Sequence, residues 1–338
     1  MQRSVDPSRK QITRRTMLAT AAAMAATPAL AQAQAPECRI GPPPHNKGAL
    51  VWMDLDQVEL DAAYDQEFYA PLGRQITARR ASNSVAFRSR FGDPRRVSYG
   101  PTEVEKLDIY RTKRPNAPIF VFIHGGAWLG GEAKNSGDSA ELFTNSGAHY
   151  VSIDFIAIRE AGGDLRVMAE QVRRAVAWVY KNAASFDGDA NRLYIGGFSS
   201  GGHLCGVALV TDWQKDFGLP ADLVKGGLCM SGLYDMKPVR VSKRGSYIKF
   251  TDEMEEAMSS QRHLALLRAP VICTYGTNET PEFQRQNHSF VAAVKAAGKP
   301  AELIEAPNYN HFDMGESLSN PYGPNGRAAL ALMKLSSA

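Results

Sequence analysis

Cysteine is scarce in this chain, with Cys38, Cys205, Cys229 and Cys273 the only four in 338 residues. Their spacing matches no zinc or redox motif, and so few thiols cannot staple a disulfide framework. Cys205, Cys229 and Cys273 lie in apolar stretches, which makes them small buried hydrophobes. A membrane anchor is not expected, because the weakly apolar run after Leu18 is shorter than the ~20 strongly apolar residues that a span requires. Charge of one sign is lacking too. The formal net charge of +4 comes from five of the 39 basic and one of the 35 acidic residues, all before residue 32, which leaves 34 of each beyond it. That balance excludes a basic face for nucleic acid. No internal repeat is present, and low complexity is confined to the N-terminus.

What remains is an ordinary globular composition, 44% hydrophobic and 22% charged, in a chain long enough to bury a full core. Thr13-Arg14-Arg15-Thr16-Met17-Leu18, an alanine-rich run and Pro28 to Ala33 have the three regions of an export signal, with small residues before a cut after Ala31 or Ala33. The adjacent arginines resemble a twin-arginine signal. Residues 1–33 are therefore read as that signal, the export machinery as a partner, and a bacterial periplasm or the cell exterior as the destination. Residues 34–92 form a linker, stiff at Gly41-Pro42-Pro43-Pro44, and a helical segment from about Asp54 to Arg90 broken at Pro71.

From residue 93 onward strands alternate with helices. Arg96 to Tyr99 and Lys106 to Tyr110 read as edge strands, and the continuous apolar run Ile119 to Ile123 as a central strand covered on both faces. Further strands are expected at 149–155, 193–196, 224–231, 270–275 and 301–306, with helices at 165–182, 283–297 and 327–335 and a variable insertion from Lys237 to Ser260. This alternation implies an α/β fold with a mostly parallel central sheet flanked by helices.

The chemistry sits at strand ends. Gly197-Phe198-Ser199-Ser200-Gly201 matches G-x-S-x-G between a strand and a small-residue helix, the setting of a nucleophile elbow. His311 follows the last strand in a polar loop and is the candidate base. The acid is Glu279, in the turn after the preceding strand, ahead of Glu282 at a helix start and of Asp235. His124-Gly125-Gly126-Ala127-Trp128 fits an oxyanion loop whose Gly125 and Gly126 amides act with that of Ser200, while His124 organises the loop. His203 tempts a metal reading with His124, but no metal-ligand spacing accompanies it, so neither metal nor cofactor is expected. His45, His149, His263 and His288 read as solvated. Trp128, Phe155, Phe198, Tyr234 and Phe312, with Tyr247, are candidate pocket aromatics.

Together with Ser231-Gly-Leu-Tyr-Asp235 and Asn310-His311-Phe312, these motifs give the chain from about Leu55 onward a resemblance to α/β-hydrolases of the kynurenine formamidase and carboxylesterase group. The resemblance implies the α/β-hydrolase fold and the order Ser199, Glu279, His311, and it favours Glu279 over Glu282. The expected activity is serine-dependent hydrolysis of small carboxylic esters or aryl amides and formamides. The alternative is a non-catalytic ligand-binding protein on the same fold. Oligomeric state is not legible.

Overall fold

Eight strands make the main sheet: β1 (Arg95–Ser98), β2 (Lys106–Tyr110), β3 (Ala117–Ile123), β4 (His149–Ile153), β5 (Gly188–Phe198), β6 (Val224–Met230), β7 (Val271–Gly276) and β8 (Ala301–Ala306). Their spatial order in this computed structural model is β8-β7-β6-β5-β3-β4-β2-β1. β2 pairs antiparallel with both β1 and β4, and every other neighbouring pair is parallel. The structure describes residues 40–336. The expected signal and Cys38 lie outside the described residues.

The apolar run predicted as a central strand is one: all seven residues of β3 are buried. Parallel strands need crossovers, and the helices that supply them cover both faces of the sheet. Its two sides carry separate apolar clusters, one around Ile119, Val121 and Ile195, the other around Phe120, Phe122 and Tyr150. Alternation along β3 sends odd residues to one cluster and even residues to the other, as strand geometry demands. Cys205, Cys229 and Cys273 are free and buried, with the Cys205 and Cys229 sulfurs 3.8 Å apart.

The N-terminal segment differs in detail from the single broken helix expected. Leu50–Trp52 and Leu55–Asp56 form a two-stranded ribbon. Helix α1 (Gln57–Ala63) then starts at a capping box, because Asp56 accepts the Glu59 N–H while Glu59 accepts the Asp56 N–H. Helix α2 (Gly73–Phe91) resumes after Pro71 and lies over the short helical turn Ala133–Ser139, where Ser84 Oγ accepts the Asp138 N–H at 2.9 Å. Helix α3 (Leu165–Asn182) has the predicted limits, with Leu165, Met168, Val172, Ala175, Val176 and Val179 buried. His149, expected to be solvated, is instead buried on β4, where Nδ1 accepts the Thr112 N–H at 3.3 Å.

Helix α4 (Ser200–Leu209) follows β5 so closely that its first turn presses on the end of β3. A Cβ at Gly201 would overlap the carbonyl oxygens of Ile123 and His124. At Gly218, by contrast, nothing lies near, and only its φ of +63° disfavours a side chain. Gly201→Ala is therefore expected to destabilise the fold by at least about 3 kcal/mol through overpacking, and Gly218→Ala by only about 1 kcal/mol through its left-handed backbone. Urea unfolding followed by circular dichroism checks the contrast, and equal midpoints for the two variants would refute it.

Candidate active site

Since β5 ends at Phe198 and α4 begins at Ser200, Ser199 alone makes the reversal between them. It does so at φ 59° and ψ −123°, a conformation that L-residues rarely adopt. Packing holds the strain in place. The Ser199 N–H donates to Met230 O on β6 at 2.9 Å, and a Cβ at Gly197 would collide with the carbonyl of Gly201. Glycine at both positions is what lets the chain turn this tightly.

His311 opens helix α5 (His311–Glu316), and the residue before it fixes its backbone. Asn310 accepts the N–H groups of Phe312 and Asp313, while the Asp313 carboxylate accepts the Asn310 N–H. The imidazole is enclosed by the rings of Phe198, Phe283 and Phe312, with centroids 4.8, 5.0 and 5.7 Å away. Its Nε2 lies 2.9 Å from Ser199 Oγ, and its Nδ1 lies 2.6 Å from Glu279 Oε2. A carboxylate facing Nδ1 assigns the proton to that nitrogen and leaves the Nε2 lone pair for the Ser199 hydroxyl.

Glu279 sits in the turn after β7 and is buried. Its second oxygen accepts the Ser231 hydroxyl at 2.7 Å and the Gly276 N–H at 2.8 Å, so both carboxylate oxygens are satisfied. The other two acids considered from sequence are engaged elsewhere. Glu282 accepts from Tyr64 and from both ends of the Arg285 fork, and Asp235 accepts from Arg262. Ser231 as an anchor for Glu279 was not foreseen. Its φ of 49° at the end of β6, invisible in sequence, is what turns the hydroxyl toward the acid.

Gly125, Gly126 and Ser199 all line one cavity. Among the described residues, no turn or side-chain hydrogen bond uses the N–H groups of Gly125, Gly126 or Ser200. His124 lies beside them, stacked on Phe155 with centroids 4.2 Å apart, its Nδ1–H donating to Gly125 O at 2.9 Å. Burial holds this imidazole below its ordinary pKa, so it stays neutral. Ala127 and Trp128 continue the loop at φ 54° and 62°. The strain there is held by the buried indole, whose Nε1–H donates to His203 Nδ1 at 3.1 Å. His203 in turn faces Met258 O through Nε2 at 3.0 Å.

The cavity has a volume of about 640 Å³. Helix α2 contributes Thr77, Arg80 and Ala81 to its wall, and the 237–260 insertion contributes Lys243, Arg244 and Tyr247. Of the aromatics expected there, Phe198, Tyr247 and Phe312 line it. Trp128, Phe155 and Tyr234 do not. Trp128 is committed to His203, Phe155 stacks behind His124, and Tyr234 is buried against Phe290 with centroids 4.1 Å apart. Arg244, missed in sequence, sits in an insertion where a charge ordinarily signals a solvated face.

One cluster of metal-ligand type lies among the described residues, at His45, Asp56 and Glu59. Its donors are already spent. Asp56 accepts the Gly48 and Glu59 N–H groups, which hold its carboxyl down to about 2, and Glu59 pairs with Lys47.

Residues 107–236 match the BD-FAE family model. Over 281 residues the chain is 28% identical to a kynurenine formamidase of Danio rerio, covering 79% of this chain and 93% of that one. Over 230 residues it is 30% identical to a kynurenine formamidase of Salmo salar, covering 66% and 76%. In the solved structure of a putative thioesterase from silicibacter sp. tm1040, 99% of the chain superposes on 82% of this one with TM-score 0.70 at 22% identity. Esterases are among the further relatives and fold neighbours. The fold is that of the α/β-hydrolases.

The His203 bridge generates a pH prediction. Burial pushes this imidazole down to about 4, against about 6.5 in an unfolded chain. Between those values the unfolded chain takes up a proton that the folded one refuses, so stability is complete above pH ~6.5 and declines as pH falls toward ~4. The loss attributable to this group is roughly 3 kcal/mol. His203→Gln retains an acceptor for Trp128 and a donor for Met258 O but does not titrate. Urea midpoints measured across that range should fall less steeply in the variant than in the parent; parallel curves would remove His203 as the source.

Proposed function

Because this chain belongs to the kynurenine formamidase family of α/β-hydrolases, we propose that it cleaves small carboxylic esters or aryl formamides through an acyl-enzyme on Ser199. The observation that carries this reading is the unbroken line from Ser199 Oγ through His311 to Glu279, with hydrogen bonds of 2.9 and 2.6 Å, opening on a cavity lined by Gly125 and Gly126. In the proposed mechanism His311 Nε2 takes the hydroxyl proton as Ser199 Oγ attacks the carbonyl carbon. The amides of Gly125, Gly126 and Ser200 receive the oxygen that becomes negative, each donor being worth about 3 to 4 kcal/mol of barrier. The imidazolium then protonates the leaving alcohol or amine. Water, activated by the same nitrogen, releases the acid and restores the hydroxyl.

Glu279 holds the Nδ1–H tautomer and stabilises the imidazolium. Its own anchors, Ser231 and Gly276, keep the carboxylate from rotating away. The basic, apolar and small-residue regions before residue 34 support export of the enzyme from a bacterial cytoplasm.

Ser199→Ala is expected to fold normally, lose labelling by a fluorophosphonate probe, and turn over p-nitrophenyl acetate and an N-formyl arylamine about 10⁴-fold more slowly. Glu279→Gln should keep the label-reactive serine but lower kcat by about 10³- to 10⁴-fold. Near-parental turnover by Ser199→Ala would sink the serine mechanism, and a parent with neither turnover nor labelling would leave the non-catalytic ligand-binding reading in its place.

A further inference from the structure

The loop that carries Gly125 and Gly126 turns through three residues with left-handed backbone, Gly126, Ala127 and Trp128, at φ 122°, 54° and 62°. Only the first is a glycine, so the turn persists because its surroundings hold it. The Leu129 N–H donates to Gly126 O at 2.9 Å inside the loop, and the Ile158 N–H, on the stretch after β4, donates to Trp128 O at 2.8 Å. A third hydrogen bond runs from the Trp128 indole to His203 Nδ1 at 3.1 Å, and of the three it alone reaches α4.

His203 is joined to both halves of the site. Its backbone N–H donates to Ser199 O at 3.1 Å, one helical turn past the serine, and its ring meets the indole edge-on with centroids 5.2 Å apart. Both side chains are buried. On its far side Nε2 faces Met258 O, where the insertion's helix Asp252–Met258 ends. A carbonyl can only accept, so the ring proton sits on Nε2, and Nδ1 keeps its lone pair for the indole N–H. Burial, which pushes this imidazole down to about 4, keeps the ring neutral and that lone pair available.

We infer that His203 is a positioning residue for catalysis: through the Trp128 indole it sets where the Gly125 and Gly126 N–H groups stand relative to Ser199. This role rests on the serine-hydrolase reading of the site and adds a residue that touches neither substrate nor triad. The amides meet an oxygen that becomes negative only as Ser199 attacks. A loop displaced by a fraction of an ångström therefore slows turnover and leaves substrate binding nearly unchanged. Met258 brings the insertion into the same linkage, because its carbonyl selects the tautomer that can accept from Trp128.

The test compares the full chain with His203→Leu, which removes the acceptor, Trp128→Phe, which removes the donor and keeps a ring, their double variant, and His203→Asn, whose Oδ1 stands where Nδ1 does. Turnover of p-nitrophenyl acetate is counted per serine labelled at end point by a fluorophosphonate, so any unfolded fraction drops out. Each of the first two variants should lose about 10- to 100-fold in kcat with KM within about threefold of the parent. Phenylboronic acid, whose tetrahedral adduct with a serine resembles the transition state, should bind more weakly by a similar factor. The double variant should be no slower than the slower single one, because all three lack the same hydrogen bond. His203→Asn should recover most of the loss.

Turnover per labelled serine within about threefold of the parent in either single variant would overturn the role. So would losses that multiply in the double variant, or a fall in activity matched by an equal fall in label, which is what a purely structural part gives. Should His203→Leu not fold, Trp128→Phe decides alone: a lower kcat at constant KM upholds the role, and parental turnover removes it. A parent that takes no label sinks the serine reading and this role with it. A labelled parent whose variants are indifferent sinks only the role of His203.

Discussion

Everything at the site depends on how closely the start of α4 approaches the end of β3. Gly201 lies against the carbonyl oxygens of Ile123 and His124, and Gly125 lies against Phe198 O and the Ser199 side chain. Ser199 and the Gly125–Gly126 loop are thus two sides of one contact. Neither can shift by an ångström without the other, and this is the tolerance that acyl transfer demands of a serine and its amides. The strained φ of Ser199 is the cost of that approach, offset by the bond to Met230 and by a core that leaves the chain no other route.

His311 and Glu279 are positioned by a different device. Parallel strands deliver their carboxyl ends to one edge, and the turns after β6, β7 and β8 supply Ser231, Glu279 and His311 in that order. Each turn contributes one polar group, and the preceding turn orients the next: Ser231 holds Glu279, Glu279 holds His311, and His311 meets Ser199. A buried carboxylate with one free oxygen would be a liability. With Ser231 and Gly276 on one oxygen and the imidazole on the other, buried Glu279 has neither oxygen unpartnered.

The local code was legible where period and punctuation agree. The glycines around Ser199, the apolar run of β3 and the buried face of α3 each follow from steric or periodic rules that hold within a few residues. Ser231 and the aromatic assignments were not legible, because they depend on which direction a side chain leaves its turn. Trp128 shows why: a positive φ within a glycine loop rotates its indole away from the cavity and onto His203. His149 shows the same limit, since a histidine in a strand buries itself when a backbone N–H and a carbonyl flank the ring. Sequence spacing names the strand and is silent on the two partners.

The sheet edge explains why the site can act on a carbonyl; it does not explain what is admitted to it. The wall opposite the serine comes from two segments outside the alternating core, helix α2 and the 237–260 insertion. The insertion is joined to the turn after helix α1 through Arg244, whose guanidinium is fastened to the carbonyl of Tyr64, and through Lys243, which pairs with Asp65. Lys243 is fastened by a carboxylate, and Arg244 by a neutral carbonyl and aromatic faces. The placement of the N-terminal segment thus shapes the cavity that Ser199 lines, without involving the side chains aligned with that serine.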